Sequence, residues 1–334
     1  MELSVLWFIL VAVLFTGFFF LEGFDYGVGI LAPLLGRDDT ERRLLINSIG
    51  PVWDGNEVWM ITAGGAMFAA FPNWYATLFS GFYLALFLLV VAIIVRGAAL
   101  EFRSRHDHPG WRSLWDWLLF AGSLVPALLW GVAMTDLVAG VPIDAGMNYA
   151  GTFWNLVSPY AVLGGLLTLS VFTFHGAVFL SLKAPGDLVD RIRATAAKVG
   201  GAALVVFLLM IGASFVKGIF FDKAGAVVLI VVAFAALLAA NRLVRKGSTG
   251  WAFAASGLTV AGLTAAFFAD LFPRVMVSSL NAAWSLTVYN AASAPYTLRI
   301  MTITAAIMVP IVLAYQGWTY WVFRKRLSVH DLKY

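Results

Sequence analysis

Long apolar runs occupy most of this 334-residue sequence. A helix needs about 20 apolar residues to cross the roughly 30 Å hydrocarbon core of a bilayer. Within that core the backbone N–H and C=O groups must pair inside the protein, which favours helices. The sequence is 61% hydrophobic and 12% charged. It therefore predicts an all-α polytopic membrane protein of about nine transmembrane helices, at 5–35, 44–71, 75–97, 115–139, 155–182, 199–217, 224–241, 251–272 and 297–323.

Lysine and arginine are distributed unevenly among the breaks between these runs. Of the 22 basic residues, 18 lie in the C-terminal tail and in the breaks at 36–43, 96–114, 183–198 and 242–250. Because basic residues accumulate in cytoplasmic loops, the N-terminus is expected outside and the C-terminus in the cytoplasm. The net charge of +4 comes from short loops between helices, so we expect no nucleic-acid partner.

Four carboxylic acids interrupt the first two apolar runs, which are joined by the charged break GRDDTERR at 36–43. Asp25 and Asp54 each lie 11 residues from this break, and Glu22 and Glu57 each lie 14 residues from it. Two antiparallel helices joined by a tight turn would hold the two pairs roughly 16 and 21 Å from the turn. Residues three apart share a helix face. The sequence therefore predicts four carboxyl groups at two matched depths.

Basic residues are missing from both apolar runs, since none lies between residues 1 and 36 or between 44 and 95. Ionised carboxylates near the bilayer centre cost a few kcal/mol or more. We therefore expect some of the four acids to be protonated at neutral pH, as a buried proton path requires. An alternative is that protonated acids form hydrogen bonds that only hold the hairpin together.

The other residues that could carry chemistry argue against an enzyme acting alone. The chain has no cysteine, which excludes disulfides and thiolate metal sites. His175 is the only histidine inside an apolar run, whereas most six-coordinate haems need two axial ligands. No P-loop, GxSxG, HExxH or dinucleotide motif is present. We therefore expect no metal site, no catalytic residue and no haem in this chain, and the sequence assigns His175 no role.

A weak internal repeat relates the two halves of the chain. The segments GRDDTERRLLINSIG (36–50) and GDLVDRIRATAAKVG (186–200) align with an offset of 150 residues. This alignment places His175 opposite Asp25. Because both segments are cytoplasmic in the predicted topology, the halves would be parallel repeats of four helices with a ninth helix added.

Several longer motifs extend through the whole chain, namely GFDYGVG (23–29), GRDDTERRLLINSIGPVWDGNEVWMITAGGAMFAAFP (36–72), SGFYLALFL (80–88), RSLWDW (112–117), GVP (140–142), RATA (193–196) and VPIVLAYQGWTYWVF (309–323). In these motifs the sequence resembles subunit II of the cytochrome bd-type quinol oxidases, which are copper-free bacterial terminal oxidases. The resemblance implies two four-helix bundles and a peripheral helix. We expect the first bundle, with the acidic hairpin, at 1–139 and the second at 140–272. The outer loop, the ninth helix and the tail would occupy 273–334.

The resemblance also implies a partner and cofactors. In the family, a haem-bearing subunit I holds two b-type haems and one d-type haem, oxidises quinol and reduces O2 to water. Subunit II is haem-free and packs against it in the bacterial plasma membrane. A small accessory subunit and a structural quinone in this chain are left open by the sequence.

Two site residues follow from the motifs that carry the resemblance. The Asp of GFD is Asp25 and the Asp of WDGN is Asp54, and in the family both are associated with a proton route from the cytoplasm. Glu57 stands where other members have Gln, so its role is left open. Two alternatives to this function are a proton-coupled secondary transporter and a purely structural membrane subunit.

Overall fold

The computed structural model describes residues 2–328, so the last six residues of the expected tail lie outside the described residues. Within this part of the chain the structure is built from α-helices. They are Leu3–Leu35 (α1), Asp39–Asn47 (α2), Trp53–Ala70 (α3), Pro72–Gly81 (α4), Tyr83–Phe102 (α5), Pro109–Ala139 (α6), Pro159–Lys183 (α7), Leu188–Lys217 (α8), Ala224–Arg245 (α9), Thr249–Leu271 (α10) and Pro295–Val322 (α11).

Eight of the described helices are long and apolar enough to cross a membrane, which confirms a polytopic all-α fold. The expected number was nine. The difference lies in the second predicted span, because α3 has 18 residues and is not among the eight. Its first two turns carry the polar side chains of Asp54, Asn56 and Glu57. These lower the mean hydropathy of a helix that is otherwise apolar.

The second predicted span is also broken, so the expected tight turn between two helices is wrong. The charged segment forms its own helix, α2, whose N-terminus is capped by the Asp38 side chain accepting from the Glu41 N–H at 2.8 Å. The chain then bends through residues 48–52 before α3 begins. Pro51 lies in this bend, and proline cannot continue a hydrogen-bonded helix. The helical spacing expected across 44–71 is therefore lost at the bend.

Helix α1 lies at the centre of the fold and packs against α3, α6, α7 and α10. Its closest approach is to α7, where a Cβ atom on Gly27 would lie 2.8 Å from the Cα of Gly176. One turn away, the ring of Phe172 packs directly on Gly23. Glycines spaced four apart allow such close helix packing. This packing holds the acid-bearing part of α1 away from lipid.

The loop between α6 and α7 (140–158) and the loop between α10 and α11 (272–294) are ordered and packed on each other. Strand β1 (Arg274–Met276) pairs antiparallel with β2 (Leu286–Thr287). The Ser278 hydroxyl donates to the Ile143 carbonyl at 2.7 Å, which ties the second loop to the first. Together the loops cover the ends of α6 and α10.

Helices α7, α8, α9 and α10 form one group, in which α7 and α9 each pack on both α8 and α10. In the other group, α5 packs on α6 and α3 packs on α1. This grouping is compatible with the two expected bundles. However, α1 packs on α7 across the expected boundary, and the proposed domain limits stay a prediction. The 150-residue offset recurs in a contact, since Arg191 Nη2 donates to Glu41 Oε2 at 2.6 Å.

Candidate functional site

A buried arginine lies at the centre of the acidic cluster. Arg96, on α5, is 0% exposed. Its Nη1 donates to Glu22 Oε1 and, at 2.8 Å, to Glu57 Oε1. The guanidinium carbon lies 4.9 Å from the centre of the Tyr26 ring. A charge at this depth is tolerated because it is paired on several sides.

Arg96 was assigned from the sequence to a cytoplasmic loop, and that assignment is wrong. Arg96 pairs with three of the four acids, although neither acid-bearing run contains a basic residue. The apolar run on α5 continues past this position to Leu100, so the arginine projects into the helix bundle. The continued run VVAIIVRGAAL (90–100) was the available signal.

Glu22 and Asp25 both point into the protein from α1, as predicted. Each is 0% exposed. Asp25 Oδ2 lies 3.9 Å from Arg96 Nη2, which is an ion pair without a direct hydrogen bond. The three-residue spacing places both carboxyls on the face of α1 that packs on α3 and that the Arg96 side chain contacts.

The group on α3 that contacts Asp25 is an amide. Asn56 Nδ2 donates to Asp25 Oδ2 at 2.7 Å. The Asn56 carbonyl oxygen in turn accepts from Tyr320 Oη at 2.6 Å and from Gln316 Nε2 at 3.3 Å. Helix α11 is thereby connected to the acidic cluster. Asn56 was not among the predicted site residues, because an amide neither takes up nor releases a proton at neutral pH.

The two acids of α3 are less buried than the two acids of α1. The Glu57 side chain is 15% exposed and contacts Arg96, whereas Asp54 lies in the first turn of α3 and is exposed. The expectation that Asp54 faces Asp25 at matched depth is therefore wrong. The bend before α3 rotates that helix so that Asn56 takes the facing position. Asp54 is one turn from Glu57 on the same helix.

Several buried polar atoms of the cluster have no hydrogen-bond partner within the described chain. These are Glu22 Oε2, Asp25 Oδ1, Tyr26 Oη, Arg96 Nε and Arg96 Nη2. Such atoms are costly unless protonation or water satisfies them. The two carboxyl oxygens are positions at which a proton can be held.

A second set of ion pairs fixes the helix that precedes α3. Arg103 Nε donates to the buried Asp116 at 2.5 Å, and Arg42 Nη1 donates to the other oxygen of Asp116 at 3.0 Å. Arg103 Nη2 also donates to Asp39 at 2.9 Å. These contacts join α2, the end of α5 and the start of α6. They determine where the chain enters the bend.

A small cavity lies between this bend and the end of α11. Its volume is about 40 Å³, and its walls include Ser48, Pro51, Lys183, Tyr320 and Phe323. A space of this size can hold a water molecule. The Tyr320 side chain separates it from Asn56, so the cavity approaches the cluster from the side of α2.

His175 lies apart from the acids. Its Nδ1 is 2.7 Å from the Ser256 hydroxyl and its Nε2 is 3.1 Å from the Phe20 carbonyl oxygen. The imidazole also stacks on the Phe253 ring at 4.9 Å. With both ring nitrogens engaged inside the chain, the residue does not fit a haem ligand. Among the described residues, no group of three or more His, Asp or Glu side chains could hold a metal ion.

Comparisons with known proteins agree with this architecture. The family described as cytochrome bd terminal oxidase subunit II matches residues 3–323. The chain is 47% identical to cytochrome bd ubiquinol oxidase subunit 2 of Bacillus subtilis over 98% of this chain and 97% of the relative. It is 38% identical to cytochrome bd-I ubiquinol oxidase subunit 2 of Escherichia coli K12 over 99% and 97% of the two chains.

The fold is also similar to a solved structure. A chain of the bd oxidase from Geobacillus thermodenitrificans superposes with a TM-score of 0.80 at 17% identity, covering 97% of this chain and 99% of that chain. The family and the eight apolar helices place this protein in the bacterial plasma membrane as a multi-pass component of an oxidoreductase. A second subunit of such a complex implies a subunit I partner. This chain belongs to the cytochrome bd terminal oxidase subunit II family.

Proposed function

We propose that this chain is the haem-free subunit of a quinol:oxygen oxidoreductase and supplies a cytoplasm-facing proton path for the reduction of O2 to water. The observation that supports it most directly is the buried cluster in which Glu22, Asp25 and Glu57 surround Arg96. Subunit I would hold two b-type haems and one d-type haem and oxidise quinol. The two subunits would act as a hetero-oligomer, and this chain would not be catalytic alone.

The charges of the cluster favour proton exchange. One guanidinium neutralises one carboxylate, and three carboxyls lie around Arg96. Each further ionised carboxylate in a low-dielectric interior carries a desolvation penalty of several kcal/mol. We therefore expect the cluster to hold protons at neutral pH. A carboxyl that carries a proton under these conditions can release it when a neighbouring charge changes.

Exposure decreases along the acids in a way that suits a path. Asp54 is exposed, Glu57 is 15% exposed, and Glu22 and Asp25 are 0% exposed. A proton can therefore pass from an accessible carboxyl to a buried one through groups on adjacent helices. Arg96 lies in α5 and no longer counts as a loop residue, so 17 basic residues remain in the breaks and the tail that are expected in the cytoplasm. The basic-residue bias still supports cytoplasmic access at the α2 end.

A proton-coupled secondary transporter is the first alternative. The break between α2 and α3, next to the acids, is a feature that such transporters share. Membership of an oxidase subunit family argues against it, because a transporter needs no haem-bearing partner. Proton uptake that depends on a transported solute, without oxygen consumption, would favour this alternative.

A purely structural role is the second alternative, in which Arg96 and the acids only hold α1, α3 and α5 together. The variant Asp25→Asn separates the two roles, because it removes the titratable group and keeps the shape and one hydrogen bond to Asn56. We expect oxygen consumption by the purified complex to fall strongly while haem content is retained. The control is Asp136→Asn, a buried carboxyl on α6 outside the cluster.

Two outcomes would contradict the proposal. Normal oxygen consumption by Asp25→Asn would show that this carboxyl carries no essential proton. Loss of haem together with subunit I would show instead that Asp25 is needed for assembly.

A further inference from the structure

We propose that helix α11 positions the buried carboxyl of Asp25 through a chain of two hydrogen bonds. The Tyr320 hydroxyl orients the Asn56 amide, and Asn56 holds Asp25 Oδ2 as an acceptor. Oδ1 of Asp25 is then the oxygen left to exchange the proton. This inference rests on the proposed function, and it assigns the peripheral helix a role in that function.

The geometry of the two bonds is short and direct. Tyr320 Oη lies 2.6 Å from Asn56 Oδ1, and Asn56 Nδ2 lies 2.7 Å from Asp25 Oδ2. Gln316, one turn before Tyr320, adds a second donor to the same amide oxygen at 3.3 Å. Asn56 and Asp25 are both 0% exposed. Residues on three helices thus meet inside the protein.

The chemistry of the Asn56 amide determines the direction of these two hydrogen bonds. An asparagine side chain has one oxygen that only accepts and one nitrogen that only donates. Two donors on α11 hold the oxygen of Asn56 towards them, so its NH2 group must face Asp25. At neutral pH the amide neither takes up nor releases a proton. Asn56 and Tyr320 are therefore positioning residues.

Helix α11 is held at both ends, which fixes Tyr320 over Asn56. Near its start, Trp7 Nε1 donates to the Leu298 carbonyl at 3.2 Å. Just beyond its end, the Lys183 ammonium donates to the Phe323 carbonyl and the Leu327 N–H donates to the Lys183 carbonyl at 3.0 Å. Between these two sets of hydrogen bonds the helix is largely exposed. Its contact with Asn56 is thus a specific polar contact on a helix that otherwise buries little.

Other charged and titratable groups also face Asp25. The pH dependence of oxygen consumption therefore depends on all of these groups. On α7, His175 makes its hydrogen bonds to Ser256 and Phe20, away from the acids. The groups that act on Asp25 are Glu22 on α1, Glu57 on α3, Arg96 on α5 and Tyr320 on α11.

The test compares Tyr320→Phe with Tyr315→Phe in the complete purified oxidase. Tyr315 is 65% exposed on the same helix, so the control removes an identical hydroxyl away from Asn56. Oxygen consumption is measured across a pH series, together with haem content. Loss of one neutral hydrogen bond is expected to lower turnover about fivefold. The profile should move to higher pH, because the oriented amide stabilises the ionised carboxylate.

A double-variant cycle tests whether Tyr320 acts through Asn56. In an Asn56→Leu background, Tyr320→Phe should have no further effect on turnover or on the pH profile. An additive effect would overturn the proposal, and so would a Tyr320→Phe enzyme that matches Tyr315→Phe. If Tyr320→Phe lost haem, Gln316→Leu would replace it, and an unchanged pH profile there would overturn the proposal. Normal turnover of Asp25→Asn would instead refute the proton path itself.

Discussion

Arg96 Nη1 lies 2.8 Å from Glu57 Oε1, and this contact joins α5 to α3 inside the membrane-spanning part of the protein. The same nitrogen also contacts Glu22 on α1. One guanidinium therefore holds three helices at the point where the acids converge. Any proton that moves through the cluster passes next to a fixed positive charge. This charge favours one ionised carboxylate, but a single positive charge cannot neutralise all three carboxyls at the same time.

Arg96→Gln is expected to destabilise the protein strongly. Removing one partner of a buried ion pair leaves uncompensated groups and costs about 3–5 kcal/mol. The loss should appear as a lower thermal transition of the purified complex and as earlier haem release on heating. Arg112→Gln is the control, because Arg112 is 24% exposed and pairs with exposed acids. Such pairs contribute about 0–1 kcal/mol.

A second variant checks the reason for that loss. Combining Arg96→Gln with Glu22→Gln removes one charge of each sign from the buried site. We expect the double variant to recover part of the lost thermal stability. No recovery would mean that packing, and not charge, determines the effect of Arg96.

Gly27→Ala is expected to impair folding or assembly. The new Cβ would press on the Phe172 carbonyl oxygen and lie 2.8 Å from the Cα of Gly176, and backbone cannot move aside as a side chain can. Overpacking of this kind costs about 1–3 kcal/mol. Gly64→Ala is the matched control, because nothing lies within 4 Å of its Cβ position. Membrane yield and thermal stability should fall for Gly27→Ala only.

The helical fold and the burial of Glu22 and Asp25 could be predicted from the sequence. Both acids lie within a long apolar run that contains no basic residue. The partner of the acids could not be obtained in the same way. Arg96 lies near the end of its run, where a basic residue usually faces the cytoplasm. The apolar residues that continue to Leu100 indicate that Arg96 lies within the helix, but the packing of α5 on α6 is needed to show that it faces the acids.

The position of Asp54 was mispredicted for a local reason. The depth estimate assumed one regular helix from 44 to 71, whereas Gly50 and Pro51 mark a break. The bend at 48–52 changes which side chain of α3 faces α1. Asn56, two residues after Asp54, therefore takes the position next to Asp25 that was predicted for Asp54. The contact between α11 and the acidic cluster could not be predicted from the sequence, because Tyr320 is 264 residues from Asn56.

Glu57→Ala and Asp54→Ala should differ in their effects on turnover. Glu57 contacts Arg96 and is 15% exposed, so no solvent group easily replaces its carboxyl. Asp54 is exposed and is not among the ion-pair partners of Arg96 within the described residues. We expect oxygen consumption to fall about tenfold or more in Glu57→Ala, equivalent to ~1.4 kcal/mol, and less in Asp54→Ala. A larger loss of oxygen consumption in the Asp54 variant than in the Glu57 variant would contradict a proton path that leads through Glu57 to the buried acids of α1.

The contact between Glu41 and Arg191 predicts a specific pH dependence of stability. Partial burial acts against ionisation, but the Arg37 N–H and the Arg191 guanidinium together lower the pKa of Glu41 below its ordinary value of 4.5. A lowered pKa in the folded state means that the stabilisation is present above pH 4.5 and is lost as the pH falls through the lowered value. Both side chains are 24% exposed, so the contribution is about 0.2–1 kcal/mol.

The variant Glu41→Gln tests this dependence. At neutral pH it should lower the thermal transition of the purified protein slightly, and at low pH the difference from the unmodified chain should disappear. Glu101→Gln is the control, because Glu101 is exposed near the end of α5. A difference that stayed constant from pH 7 to well below pH 4.5 would show that the Glu41 charge does not stabilise the contact between α2 and α8.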